Sequence, residues 1–340
     1  MHYSKGVSCR KLTIQWTKGI FLNIVLSIIS VITVVLNLLV IISVSHFRQL
    51  HSPTNIILLS LAVSDFLVGL LLLPLEIYRN TTCWYLGEIM CAVYYYLGCQ
   101  IPFVSIGNII LISVDRYVAI CHPLQYPTRI TAVRIKLCVF LCWLWYGLYS
   151  IFYIRDQIIH LIKPDKDVSC LGQCSVIFSQ VTGAADLILT FIIPVTAIVV
   201  LYMRVFVVAV IQARSMRSHV TFVSIQHPSK VKAKRSELKA ARTLGVLVFT
   251  FLLCFCPLTL GVLVITYLSC FCPLYCYTFI YINLTDLSNA YLFIVLFYFN
   301  SCLNPVIYTL FYPWFRKAVK LIITLQILKA DSFSCQYYTN

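Results

Sequence analysis

Three acidic residues stand inside long apolar runs of this chain: Asp65 and Glu76 within 54–78, and Asp186 within 177–203. A carboxylate among apolar side chains is costly to keep charged, so it marks a place that needs a cation, a proton or hydrogen-bond donors. No Lys or Arg lies in the apolar cores to neutralise them. At the end of another run stands Asp115-Arg116-Tyr117, and Glu237 lies at the foot of a later one. An Arg shared by two carboxylates across a helix interface can act as a two-state latch that breaks when the helices part; the alternative is a surface ion pair of little worth. Bond-making chemistry is not expected. The sequence has no P-loop, HExxH or GxSxG pattern, and its seven His share no helical face with carboxylates, so neither an enzyme nor a transition-metal site is indicated.

The elements that must position these groups are membrane helices. Of 340 residues, 61% are hydrophobic and 11% charged, and mean hydropathy is +0.91. Soluble domains carry roughly a quarter charged residues, which excludes a soluble enzyme, a disordered tail and a secreted disulfide miniprotein. Charge-free stretches mark spans of the roughly 20 residues that a bilayer crossing needs. The stretch 243–315 holds two of them, separated at Cys270, Cys272, Pro273 and Cys276. The expected architecture is an all-α membrane bundle of seven spans, at about 20–46, 54–78, 88–121, 136–157, 177–212, 238–268 and 286–312. Residues 1–19 would lie outside, with an amphipathic helix and cytoplasmic tail over 313–340 lying against membrane lipid.

Net charge is +15. In a membrane protein this reads as topology rather than nucleic-acid binding. With the N-terminus outside, 18 of the 26 Lys and Arg fall on the cytoplasmic side, as the positive-inside bias requires. The first apolar run is too long, and lacks the small-residue site, for a cleaved signal peptide, so it is expected to target the chain itself. Glycosylation sequons at Asn80 and Asn283 fall on the outer side, Asn283 close to the membrane.

The landmarks come in a recognisable order: Asn37 in span one, Asp65 in span two, Asp115-Arg116-Tyr117 closing span three, Trp143 in span four, Pro194 in span five, Pro257 in span six and Asn304-Pro305-Val306-Ile307-Tyr308 in span seven. Together they resemble the rhodopsin-like G-protein-coupled receptors over every span. That resemblance implies an activation switch at Asp115, Arg116, Tyr117, Glu237, Tyr202, Asn304, Pro305 and Tyr308. It implies a polar cluster of Asp65, Ser105, Asn300, Ser301 and Asn304 that holds a sodium ion and water, the alternative being a hydrogen-bonded network without an ion. It also implies a disulfide from Cys91 to the second outer loop, where Cys174 is the expected partner, leaving Cys170 for Cys9. Pairing of Cys83, Cys270, Cys272 and Cys276 stays open. A heterotrimeric G protein, and arrestin after it, are the implied cytoplasmic partners.

The segment from Asn300 to Phe315, Asn-Ser-Cys-Leu-Asn-Pro-Val-Ile-Tyr-Thr-Leu-Phe-Tyr-Pro-Trp-Phe, is similar to the span-seven fingerprint of trace amine-associated receptors. Cys9 and the pattern Cys170 to Cys174-Ser175-Val176 resemble that subfamily too. The subfamily implies olfactory detection of small amines through a stimulatory or olfactory Gα. Aminergic receptors hold the ligand's ammonium with an Asp 18 residues before the DRY arginine, and here that position is Gly98. Asp186 offers a replacement, as in a group of these receptors, mostly from fish. It lies eight residues before Pro194, about 12 Å up the helix, at the height of the ligand pocket. A primary ammonium would supply charge and hydrogen bonds together. The alternative is a structural carboxylate pointing at a neighbouring helix.

The expected walls are Gly98, Cys99, Phe103, Phe255, Leu258, Thr259, Tyr291 and Tyr298, with Glu76 and Asp286 at the outer mouth as solvated rim groups or as partners for a second amine. A transporter would show charges in several spans and an internal repeat, and no repeat is seen. A retinal-binding protein would need a Lys where Tyr298 stands. Within the class, the rival is a receptor for a non-amine small molecule.

Overall fold

The computed structural model describes residues 16–47, 50–155, 174, 185–226, 245–246, 248–254, 287–311 and 313–324. Every regular element among them is a helix. Span one is Trp16–His46. Span two runs Pro53–Leu67, passes through a π turn at Val68–Leu72, and continues as Leu73–Thr81. Span three is Gly87–Cys121, followed by a short loop helix Tyr126–Arg129 and span four at Ala132–Tyr153. Span five opens with a π turn, Leu187–Ile192, and extends through Ile193–Gln226. The described parts of span six, 245–246 and 248–254, are helical. Span seven is Leu287–Phe311, and a last helix covers Pro313–Ile323.

Five of these helices are long and apolar enough to cross a bilayer: Gly19–His46, Pro53–Thr81, Gly87–Cys121, Ala132–Tyr153 and Leu187–Ile211. A shorter apolar stretch, Ile294–Thr309, lies within span seven. Such helices satisfy their own backbone groups, so they can turn apolar side chains to lipid. Phe21, Ile24, Ile28, Phe140, Leu144 and Trp145 do so. Span three is the central post, packed against spans two, four and five, while span one packs against spans two and seven and the last helix. The main core joins Val40, Ile57, Leu61, Ile109, Ile198, Phe251, Tyr308 and Phe315 from spans one to three, five to seven and the last helix.

Polar side chains fix the register where lipid offers no hydrophobic drive for helices to associate. Trp143 Nε1 donates to Ser60 Oγ at 3.0 Å, tying span four to span two. Asn37 Nδ2 donates to the carbonyl of Ser301 at 3.0 Å, tying span one to span seven. Gly107 permits the close approach of spans three and four, since a β-carbon there would stand 2.4 Å from Cys142 Sγ.

Candidate ligand-binding site

Asp186 caps the π turn that opens span five, one helical step before the backbone pairing is re-registered ahead of Pro194. Its carboxylate is half-buried. Oδ1 accepts from the Tyr149 hydroxyl at 3.1 Å, and the Thr190 hydroxyl donates to the Asp186 carbonyl at 2.8 Å. Tyr149 is held by stacking on Tyr153 (centroids 6.3 Å apart) and by an edge contact with Phe103 at 5.8 Å. From span three, Cys99 lies near Asp186. No described Lys or Arg pairs with Asp186. The structure therefore gathers Asp186, Cys99 and Phe103, and adds Tyr149 and Tyr153. These two tyrosines stand among several aromatics at the end of span four, and nothing in their spacing singles them out.

Gly98 is half-buried, and among the described residues nothing lies within 4 Å of where its β-carbon would stand. Phe255, Leu258, Thr259 and Asp286 lie outside the described residues, as does the side chain of Tyr291.

Tyr298 belongs to a second cluster. Its side chain is 9% exposed and lies near Tyr94, Glu76 and Arg79. Glu76 is no solvated rim group: it is 3% exposed and ion-paired, Arg79 Nη2 to Oε1, at 2.7 Å. Asn80 Nδ2 donates to the same oxygen at 3.1 Å, and the Tyr94 hydroxyl donates to Oε2. Spacing of three residues places Glu76 and Arg79 on one helix face. Tyr94 from span three closes the site, with the Arg79 guanidinium carbon 5.9 Å from its ring centroid. The pair consumes the carboxylate that a second ligand amine would require. Tyr94 also packs with Trp84, and beside them a disulfide joins Cys91 to Cys174. Cys83 is disulfide-bonded to a cysteine outside the described residues, where Cys9 and Cys170 also lie.

At the cytoplasmic end, Arg116 Nη2 donates to Asp115 Oδ2 and to Thr54 Oγ1, each at 2.5 Å, and Thr54 in turn donates to Asp115 Oδ2 at 2.8 Å. The Tyr126 hydroxyl donates to Asp115 Oδ1 at 2.9 Å. Burial, then the Asp115 charge, push the Tyr126 phenol above its ordinary value, so it stays a donor. Thr54 and Tyr126 are additions that the motif alone does not reveal. Tyr117 packs against Ile120, Val205 and Ala209, while Tyr202 borders the main core and Tyr308 is fully buried within it. Glu237 lies outside the described residues.

Midway, Asp65 is fully buried. Asn304 Nδ2 donates to its Oδ2 at 2.7 Å and Ser105 Oγ donates to Oδ1 at 3.4 Å, with Ser301 close by. Asn300 Oδ1 is buried with no hydrogen-bond partner among the described residues. Ser105, Ser301, Pro102, Val68, Phe297 and Tyr298 line a small cavity. Pro305 has no N–H for the carbonyl of Ser301, and that freed oxygen is the one Asn37 takes.

The family model for the 7 transmembrane receptor (rhodopsin family) matches residues 36–308. Among curated proteins, the chain is 37% identical to trace amine-associated receptor 13c of Danio rerio, over 98% of this chain and 94% of that one. It is 35% identical to trace amine-associated receptor 1 of Mus musculus over 94% of this chain and 93% of the relative, and 34% identical to trace amine-associated receptor 6 of Homo sapiens over 98% and 93%. The Asp115-Arg116-Tyr117 motif, the proline-freed carbonyl in span seven and these full-length matches agree: the chain belongs to the rhodopsin family of seven-transmembrane receptors, and within it to the trace amine-associated receptors, which are not enzymes.

Proposed function

We propose that this seven-span receptor detects small protonated amines at the cell surface, with its N-terminus outside, as an olfactory receptor. The observation that carries the reading is Asp186: a half-buried carboxylate among Cys99, Phe103, Tyr149 and Tyr153, satisfied by a hydroxyl and paired with no described cation. An ammonium completes such a site with charge and N–H donors. Gly98, Cys99, Phe103, Phe255, Leu258, Thr259, Tyr291 and Tyr298 are its proposed walls, where aromatic faces add cation–π attraction.

Binding at Asp186 draws span five inward, the Arg116 latch opens, and Tyr202 and Tyr308 hold the parted cytoplasmic ends. Glu237 is the proposed second partner of Arg116 in the closed state. A stimulatory or olfactory G protein then engages the cleft, raising cyclic AMP, and arrestin follows. The oxygen donors of Asp65, Ser105 and Ser301, with the unpartnered Asn300 Oδ1, suit a hard cation such as sodium, which would supply charge compensation in the closed state. The last helix, Pro313–Ile323, lies on the membrane surface.

The test is cyclic AMP, together with activation of several Gα subtypes, in cells expressing the receptor. Mono-, di- and polyamines are compared with the alcohols of the same shape. Responses to the amines and none to the alcohols are expected. Silence to every amine with the receptor verified at the surface overturns the reading and favours a non-amine ligand.

Tyr126→Phe tests the latch. It removes one hydrogen bond to a buried carboxylate, worth about 1–2 kcal/mol, so basal nucleotide exchange on the G protein should rise severalfold with agonist affinity slightly increased. Unchanged basal exchange would separate Tyr126 from the switch.

A further inference from the structure

Four prolines interrupt the described spans, and each lacks the N–H that the carbonyl four residues earlier would otherwise accept. In spans two and five a π turn precedes the proline and re-registers the pairing: the Leu73 N–H reaches the Val68 carbonyl, and the Ile193 N–H reaches the Ile188 carbonyl. In span seven Asn37 supplies the missing donor to Ser301 at 3.0 Å. Span three is different. Its helix is regular from Gly87 to Cys121 with Pro102 inside it, and among the described residues no side chain donates to the carbonyl of Gly98.

No described side chain crowds the backbone at this position. Gly98 is half-buried, and no described atom lies within 4 Å of its absent β-carbon. A side chain there would screen the backbone, whereas glycine leaves the oxygen approachable. One turn below, Pro102 lines the small cavity with Ser105 and Tyr298. On the adjoining stripe of the same helix, Cys99 lies near the Asp186 carboxylate, and Phe103 supports the Tyr149 ring that donates to it. A helix carbonyl that has lost its i+4 donor, one residue from the cysteine beside Asp186, and a carboxylate that pairs with no described cation make two acceptors on neighbouring helices.

We propose that the main-chain carbonyl of Gly98, freed by Pro102, is a second acceptor for the ligand: it takes one N–H of a primary ammonium whose charge Asp186 holds. This rests on the amine reading above. Two acceptors use two N–H groups, so the site selects primary over tertiary amines, whose single N–H goes to Asp186. A hydrogen bond from a charged donor corresponds to about tenfold or more in affinity.

The probes are n-alkylamines from butyl to octyl and 2-phenylethylamine, each with its N,N-dimethyl analogue. Potencies are measured on the wild type, Pro102→Ala and Asp186→Asn at matched surface expression. Pro102→Val, which keeps bulk beside the cavity, is the second variant should the alanine fail to reach the surface. Both replacements return an N–H to the Gly98 carbonyl. The wild type should prefer primary amines by about tenfold or more, and the Pro102 variants should bring the ratio close to one by weakening primary amines alone. An unchanged ratio, or an equal fall for both members of each pair, overturns the inference. Asp186→Asn separates the two levels: if it removes both responses while the Pro102 ratio is unchanged, only the carbonyl's role fails. If it leaves both intact, or the wild type ignores every probe, the amine reading beneath fails with it.

Discussion

Asp186→Asn should cost amine agonists about 100-fold or more in potency while the receptor still reaches the surface. Asn has the shape of Asp and keeps an oxygen for the Tyr149 hydroxyl, now 3.1 Å from Oδ1, so the fold loses little. What disappears is the charge. Truncating one side of a desolvated, hydrogen-bonded charge pair costs 2–5 kcal/mol or more, and about 2.7 kcal/mol is already 100-fold. Tyr149→Phe should act in the same direction but less, by severalfold, because it only frees the carboxylate to rotate away from the ligand. The measurement is a full concentration–response curve on both variants with surface receptor counted by an N-terminal tag. Agonist potency within threefold of wild type in Asp186→Asn would remove this carboxylate from ligand recognition. Equal losses in Asp186→Asn and Tyr149→Phe would make the pair a packing feature of spans four and five rather than an anchor.

Much of this site could be read before any coordinates, because membrane helices simplify the problem. Inside an apolar run a charge has few neutral explanations, so Asp65 and Asp186 stand out at once. Asn304, Pro305 and Tyr308 are legible for another reason: they form part of the Asn-Pro-Val-Ile-Tyr motif that carries the family resemblance. The structure puts Asn304 on Asp65 and Asn37 on Ser301.

The partners contributed by other helices were not legible. Tyr149 reaches Asp186 across 37 residues, and Thr54 reaches Asp115 across 61. In sequence these are an aromatic and a hydroxyl among many, and only the helix rotations decide which of them turns inward. Glu76 shows the same limit. Its spacing to Arg79 is visible, yet burial to 3% requires Tyr94 from span three. The same pattern is equally consistent with an exposed rim. Pro102 is a signal visible in sequence: its effect falls on Gly98, the position from which the usual anchor is missing.

Glu76→Ala should produce the largest loss of stability of any single side-chain change at the outer face. The carboxylate accepts from Arg79, Asn80 and Tyr94 at once, so its removal strips three donors of their acceptor and leaves a partly buried guanidinium without its counter-ion. Breaking a buried pair from one side costs about 3–5 kcal/mol. For a chain of this size each kcal/mol lowers the unfolding midpoint by roughly 2–4 °C, so the purified receptor in detergent should melt roughly 10 °C lower. Glu76→Gln keeps an acceptor for Tyr94 and should lose less.

The decisive variant is Glu76→Ala with Arg79→Leu. Taking away both charges removes the stranded cation, so the double variant should regain much of the lost midpoint, the non-additivity expected of groups in contact. A double variant as unstable as the sum of its singles would mean that the pair is not coupled, and that the outer face is held by the Cys91–Cys174 disulfide and the Trp84–Tyr94 packing alone. Coupling has a consequence for recognition as well. A carboxylate committed to Arg79 is not available to a second ammonium, so Glu76 should lend the wild-type receptor nothing toward the far amine of a diamine. Arg79→Leu with Glu76 intact vacates that carboxylate, and there diamines should gain potency over monoamines of equal length.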